Sequence, residues 1–137
     1  MAVISTKEII QAVGDKLSEL SISAYVRGEV PPNTGMPYNA FKLTTNIDNI
    51  NFNNYEDTVY TLEVDTLYNQ EDKDSEPCEA MADSVYNLLN RYYYEGETKN
   101  FFCDIIFTNR LNNLPTDNEF IIRRQNVFEL KIRKKEV

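Results

Sequence analysis

The sequence contains no histidine among its 137 residues. Because histidine is the commonest general acid-base group and a frequent metal ligand, its absence removes Ser-His-Asp and Cys-His catalysis and every histidine metal site. Only four glycines occur, at positions 14, 28, 35 and 96, and they cannot form a phosphate-cradling loop or a dinucleotide fingerprint. We therefore predict a protein that is not an enzyme and that has no cofactor and no metal.

Long apolar runs and cysteine pairs are lacking as well. No run approaches the roughly 20 residues of a membrane helix, and the segment Met1 to Lys7 lacks the apolar stretch of a signal peptide. We expect no membrane partner and synthesis in the cytoplasm. Cys78 and Cys103 are too few for a disulfide framework, so reduced structural thiols are expected. The alternative is a reactive Cys78 at a helix start.

Acidic residues outnumber basic ones by 22 to 14, which gives a formal net charge of −8. Such a surface repels phosphate backbones and disfavours a tight electrostatic grip on nucleic acid. It remains compatible with a passage through which DNA slides without sticking. Nine tyrosines and seven phenylalanines supply a packed core, and the length predicts one domain over residues 1–137.

Two helices are predicted from apolar residues at helical spacing. Ser5 to Glu8 reads as a capping box, followed by the apolar positions Ile9, Ile10, Val13, Leu17 and Leu20. The second helix begins near Glu76 and Pro77, because acids and an early proline suit a first turn. It is expected to run to about Tyr92, with its end in the stretch 94–97.

Strands are predicted from alternation and from short apolar runs. The segment Thr58–Tyr68 alternates clearly, whereas Phe101–Phe107 is apolar on both phases, as expected for a central strand covered on both faces. The other expected strands are a possible short one at Ser23–Arg27, then Tyr38–Ile47 and Phe120–Arg133. The order α-(β)-β-β-α-β-β predicts an α+β fold, with two main helices packed on an antiparallel or mixed sheet of four to five strands.

Carboxylates on neighbouring strands allow one enzymatic alternative, a magnesium-dependent nuclease. It would use Glu63, Asp65 and Asp104 with the acid-x-Lys pair Glu129 and Lys131. We prefer a purely structural role for these residues. Each strand that carries them is buried on one face, and its polar face holds Glu63 and Asp65 in one strand and Glu129 and Lys131 in the other. Asp104 is then expected to pair with Arg123 or Arg124.

Loops and aromatic residues are the candidate assembly contacts. The segments Gly28–Pro37, Asn69–Glu76 and Asn109–Glu119 are long for a compact domain, and loops of that length are often functional. The three tyrosines from Tyr92 to Tyr94 have two interpretations. They form a recognition surface, or they end the helix with one ring in the core and the other two at the rim of the core. The candidate contact residues are Pro31, Asn33, Met36, Tyr38, Glu71, Asp72, Asp74, Tyr93, Tyr94, Asn113, Pro115, Arg123 and Arg124.

The arrangement resembles the tail-terminator or tail-completion proteins of long-tailed bacteriophages. The likeness spans most of the chain and lies in the N-terminal helix, the strand Val59–Tyr68, the acidic loop, the helix Glu79–Leu89 and a closing strand rich in Arg and Phe. It implies a virion protein, assembled in the host cytoplasm, that forms a homohexameric ring on the tail tube. The ring would stop tube polymerisation and meet the head connector or stopper, and DNA would pass through its lumen without sequence-specific binding.

The lumen is expected to be lined by acidic and neutral residues, because a row of basic side chains would hold DNA phosphates. The basic residues of the last strand, Arg123, Arg124, Lys131 and Arg133, should then pair with carboxylates within or between subunits. The alternatives are another head-completion or neck adaptor protein of the same virion, and the nuclease.

Overall fold

The computed structural model of the protein describes residues 6–46, 57–69, 76–95, 101–111 and 121–134. The predicted α+β class, with two helices on a mixed sheet, is confirmed. Within these ranges the sheet has six strands, and the additional one is the three-residue β4. In chain order the elements are α1 (Thr6–Leu17), β1 (Ala24–Val26), β2 (Tyr38–Asn46), β3 (Asp57–Asn69), α2 (Glu76–Leu89), β4 (Tyr93–Glu95), β5 (Phe101–Leu111) and β6 (Ile121–Lys134).

The sheet is built around two long antiparallel strands. Its order is β1-β2-β3-β6-β5-β4, and β1 and β2 are its parallel pair. Strand β6 pairs with β3 from Asp57 to Asn69, that is, along the whole of β3. Because successive side chains point to opposite faces of a strand, this register assigns each strand residue to one face of the sheet.

Both helices lie on the same face. Ile9, Val13 and Leu17 of α1 and Val85 and Leu89 of α2 pack into one core with apolar side chains of the sheet, which are Phe41, Tyr60, Leu62, Val64, Cys103, Ile105, Phe128 and Leu130. The helical spacing predicted for Ile9, Val13 and Leu17 is therefore confirmed. Ser5 of the predicted capping box lies outside the described residues. No helix in the described ranges is long and apolar enough to cross a membrane.

The opposite side of the sheet, which we call the distal face, carries the intervening residues of the same strands. The register places on it Tyr38, Ala40 and Lys42 of β2, Glu63 and Asp65 of β3, Tyr93 of β4, Asp104, Ile106 and Leu111 of β5, and Arg123, Gln125, Glu129 and Lys131 of β6, with Tyr25 and Arg27 at the β1 edge.

Helix α2 ends at Leu89, three residues before the predicted end at Tyr92. The next residues bond to β5 instead of continuing the helix. Arg91 N donates to the Ile105 carbonyl at 2.7 Å, Asn90 Oδ1 accepts from Phe107 N at 3.1 Å, and Arg91 has a left-handed φ of 63°. Single residues in this conformation are typical helix terminators, and here the turn leads directly into β4.

Strand β5 differs from its prediction in two ways. It extends to Leu111, although residues from Asn109 onward were expected to form a loop. It is also covered by the helices on one face only: Cys103 and Ile105 are buried against the core, whereas Ile106 is 45% exposed on the distal face. The run of apolar residues on both phases therefore predicted a strand correctly. It did not predict the exposure of β5, because no described part of the chain covers the distal face of this strand.

A β-bulge between Phe107 and Asn109 decides where the end of β5 points. A bulge inserts one residue and exchanges the faces of all residues after it. As a result Arg110 turns toward α2, where its Nε donates to Asn126 Oδ1 at 2.8 Å and its Nη2 to the Ala82 carbonyl at 3.2 Å. Its Nη1 pairs with Asp83. This arginine therefore ties α2 to both β5 and β6.

Candidate assembly surface

Five polar residues form a connected cluster in the middle of the distal face. We call it the ion-pair cluster; it consists of Arg27, Glu63, Asp65, Arg123 and Gln125. Arg27 Nη1 lies 3.0 Å from Glu63 Oε2, and Asp65 Oδ2 lies 3.0 Å from both Arg27 Nη2 and Arg123 Nη2. Gln125 Nε2 donates to Asp65 Oδ1 at 2.8 Å and to Glu63 Oε2 at 3.3 Å.

The cluster contains two positive and two negative charges. The Asp65 side chain is only 5% exposed, while those of Arg27, Glu63 and Arg123 are between 27% and 30% exposed. A carboxylate at such depth is stable only when it is paired and hydrogen-bonded, and here both conditions hold. Glu63 and Asp65 lie on the polar phase of β3, as expected, but Asp65 is buried there because Arg27, Arg123 and Gln125 enclose it.

Three donor nitrogens of the cluster are buried and make no hydrogen bond to any described group. They are Nε and Nη2 of Arg27 and Nε of Arg123. Arg27 Nη2 lies close to Asp65 but outside hydrogen-bond geometry, so this contact is electrostatic only. The cluster is thus balanced in charge but not saturated in hydrogen bonds.

The residues of the nuclease alternative share the distal face but do not converge. Asp104 lies opposite Lys131, and Lys131 lies opposite Val59 of β3. Val59 is four residues from Glu63, which is roughly 13 Å along a strand. Glu63 and Asp65 are both already paired with arginines. In the described ranges no three Cys, Asp or Glu side chains are grouped so that they could hold a metal ion.

The two arginines expected at contacts have different positions. Arg123 belongs to the ion-pair cluster, whereas Arg124 faces α2, where its side chain is 10% exposed and its Nη2 lies 3.6 Å from Glu79 Oε1. The burial of Arg124 corrects its assignment as a surface contact. The predicted pairing of Asp104 with either arginine is also wrong, because the register places Asp104 beside Lys131.

The candidate residues of the first long loop are partly exposed. Pro31 and Asn33 are exposed, and Asn33 has a left-handed φ of 65° in a turn that the Thr34 hydroxyl closes by donating to the Pro31 carbonyl. Met36 is half-buried. Tyr38 packs edge-on against Tyr25 with ring centroids 6.0 Å apart. This loop therefore ends in an aromatic pair on the distal face.

The tyrosine run divides between core and surface. Tyr92 packs against the core, with Lys16 Nζ 4.4 Å from its ring centroid, and Tyr93 is 49% exposed. The side chain of Tyr94 lies outside the description. The remaining candidates, which the structure does not describe at all, are Glu71, Asp72, Asp74, Asn113 and Pro115.

Two surface residues were missed by the sequence interpretation. Ile106 and Leu111 are 45% and 38% exposed and, with Tyr93, are the exposed large apolar or aromatic side chains of the described residues. The signal for Ile106 was present, since Phe101–Phe107 is apolar on both phases. Leu111 gave no signal, because its face depends on the bulge.

Both cysteines are free, reduced and buried, as predicted. Burial raises the pKa of the Cys103 thiol from 9.0 to about 12, with a further upward contribution from the charge of Asp104. The pKa of Cys78 is also raised, mainly by burial, against an opposing effect of Arg124. A raised pKa keeps the thiol protonated and unreactive, which removes the alternative of a reactive Cys78.

Comparisons of the chain with protein-family models and with curated proteins give no match.

Proposed function

We propose that this protein is a structural component of a bacteriophage virion, a tail terminator that forms a closed homomeric ring, of six subunits, at the end of the tail tube. The observation that carries the proposal is the distal face, where Tyr93, Ile106 and Leu111 are exposed on the same side of the sheet as the ion-pair cluster, whose charges are paired within the chain. Exposed aromatic and aliphatic side chains are typical of surfaces that bind other protein subunits, so this face fits a protein that functions by assembly. The resemblance stated above supplies the particular role.

The distribution of basic residues supports a passage for DNA. Arg27, Arg110, Arg123 and Arg124 all pair with carboxylates of the same chain. They are therefore engaged internally instead of forming a row that would hold DNA phosphates. In the proposed ring the lumen is lined by acidic and neutral residues, and DNA moves through it without sequence-specific binding.

The proposed partners are further copies of the chain, the tail-tube protein below and the head connector or stopper above. Identical subunits that meet through two different surfaces close into a ring when the rotation between them permits. The loop that carries Pro31 and Asn33 is proposed to touch a neighbouring subunit or one of these virion proteins.

The mass of the purified protein in solution tests the ring. A particle of six subunits is expected, and virions that lack the protein should have tails of irregular, excessive length that fail to join heads. Normal tail length together with a monomeric protein would instead indicate a neck adaptor. Magnesium-dependent DNA cleavage by the purified protein, abolished by Glu63→Gln, would overturn the structural role in favour of the nuclease.

A further inference from the structure

The helix side of the sheet is polar where α2 begins. Asn39 of β2, Thr66 of β3 and Arg124 of β6 lie opposite one another in the register and form one row across three strands. All three are buried, and Arg124, the most exposed of them, is 8% exposed. The apolar core lies farther along the same strands. Polar side chains at this depth need hydrogen-bond partners.

Only part of this polar row is satisfied within the chain. The Thr66 hydroxyl donates to Asn39 Oδ1 at 2.8 Å, and the Cys78 thiol donates to the Thr66 carbonyl with an Sγ–O distance of 3.8 Å. Two buried donors of the row make no hydrogen bond, Nδ2 of Asn39 and Nε of Arg124. A buried donor without an acceptor is destabilising, so the row favours a ligand that supplies one.

Arg124 brings its positive charge to the first turn of α2. Its Nη2 lies 3.6 Å from Oε1 of Glu79. Burial raises the pKa of the Cys78 thiol, and the charge of Arg124 opposes that rise. Because the first N–H groups of a helix lack intrahelical acceptors, they carry partial positive charge. A buried cation and the positive end of a 14-residue helix therefore meet at one place, and both favour an anion.

Glu79 neutralises this positive charge only loosely. The distance of 3.6 Å exceeds hydrogen-bond length, whereas Arg123 lies 3.0 Å from Asp65. The Glu79 side chain is also 59% exposed, while that of Arg124 is 10% exposed. An exposed carboxylate held at this distance gains little from its pairing. Glu79 can therefore turn into solvent and leave its place to another oxyanion.

We propose that Arg124 and the first turn of α2 bind a small oxyanion, a phosphate or a carboxylate group, which displaces Glu79. All of these residues belong to one chain, so the site depends neither on the proposed ring nor on its subunit number. The depth of the Arg124 guanidinium admits a small group and excludes a DNA duplex. The site is therefore compatible with the proposed passage for DNA.

The first test is an NMR titration of the isotope-labelled protein with inorganic phosphate, acetate and chloride at one constant ionic strength. The Arg124 Nε–H signal should move downfield and reach saturation with phosphate or with acetate, and the amide signals of Cys78 and Glu79 should move with it. Saturation by either ion supports the site and identifies the group that it prefers. No saturable shift with either ion, or an equal shift with chloride, overturns the proposal and leaves the ring standing.

The second test removes the competing carboxylate. Glu79→Gln should lower the Kd of the preferred ion by about threefold to fivefold. The matched control is Glu19→Gln, because Glu19 is also exposed and paired, with Lys16 at 2.9 Å, and this variant should bind like the parent. An unchanged Kd in Glu79→Gln, or an equal change in both variants, rejects the displacement of Glu79.

A third variant removes the guanidinium itself. Arg124→Met should abolish the saturable shifts of the Cys78 and Glu79 amides, and shifts that persist in the folded variant would overturn the site. If this variant does not fold, the comparison of Glu79→Gln with Glu19→Gln decides.

Discussion

Arg123 Nη2 lies 3.0 Å from Oδ2 of Asp65, and this pair joins β6 to β3 at the centre of the sheet. Arg27, the residue that follows β1, places its Nη2 at 3.0 Å from the same oxygen. One buried carboxylate therefore links three strands that are far apart in sequence. Removing one partner of such a pair costs more than the pair contributes, because the remaining charges lose their compensation.

Substitution of Asp65 by Asn should therefore lower the free energy of unfolding by about 2 to 4 kcal/mol. Two arginines would remain near a neutral amide, and that amide could accept hydrogen bonds but not balance the charge. Urea unfolding followed by circular dichroism measures the change. Asp104→Asn is the control, since Asp104 is exposed on the same face and should shift the free energy by at most about 0.5 kcal/mol. Equal losses in the two variants would contradict the role given to Asp65.

Replacement of Arg110 by Lys should loosen α2. The lysine keeps the charge but cannot reach Asp83, the Ala82 carbonyl and Asn126 at once. We expect a loss of about 1 to 2 kcal/mol and faster amide hydrogen exchange in α2. Arg91→Lys, at an exposed position, serves as the control and should behave like the parent. Unchanged amide hydrogen exchange in α2 would show that the contacts of Arg110 do not hold this helix in place.

Neither native thiol should react with iodoacetamide at neutral pH, whereas both should react in denaturant. The reason is burial, which raises both pKa values and blocks access. Mass spectrometry counts the adducts. A native protein that takes up one label within minutes would contradict the structural assignment of both cysteines.

The raised pKa of Cys103 also predicts a loss of stability in alkali. The unfolded thiol ionises near its ordinary pKa of 9.0, whereas the folded thiol stays protonated up to about 12. Because the folded state then binds more protons, its stability should fall as the pH rises through this interval. Thermal unfolding between about pH 9 and about pH 11 should show a steeper decline for the parent than for Cys103→Ala. Parallel curves would exclude this contribution.

Gly14→Ala should stabilise the protein by about 0.5 to 1 kcal/mol. Gly14 lies inside α1, and an added Cβ would meet the Phe41 ring at 3.5 Å, an ordinary contact. Gly28→Ala is the contrasting variant, because Gly28 has a φ of 90° and alanine there should cost about 1 kcal/mol. Thermal melts of the two proteins should move in opposite directions.

The sequence alone determined the α+β class, the approximate starts of every element except β4, and the core side of α1 and β3. Helical spacing selected Ile9, Val13 and Leu17, and alternation selected Leu62 and Val64, because burial of one face imposes these periods on any chain that forms such elements. It also excluded the histidine-based chemistries, because that residue is missing.

Only the tertiary structure decided how the polar residues are used. Asp65 has the same alternating position as any solvated strand carboxylate, and its burial depends on Arg27 and Arg123, which are distant in sequence. The bulge after Phe107 reverses the faces of Arg110 and Leu111, a change of parity that no local pattern records. The end of α2 likewise depends on hydrogen bonds to β5. Local periodicity reports which face is apolar, whereas pairing across strands determines which charges meet and which apolar side chains remain exposed.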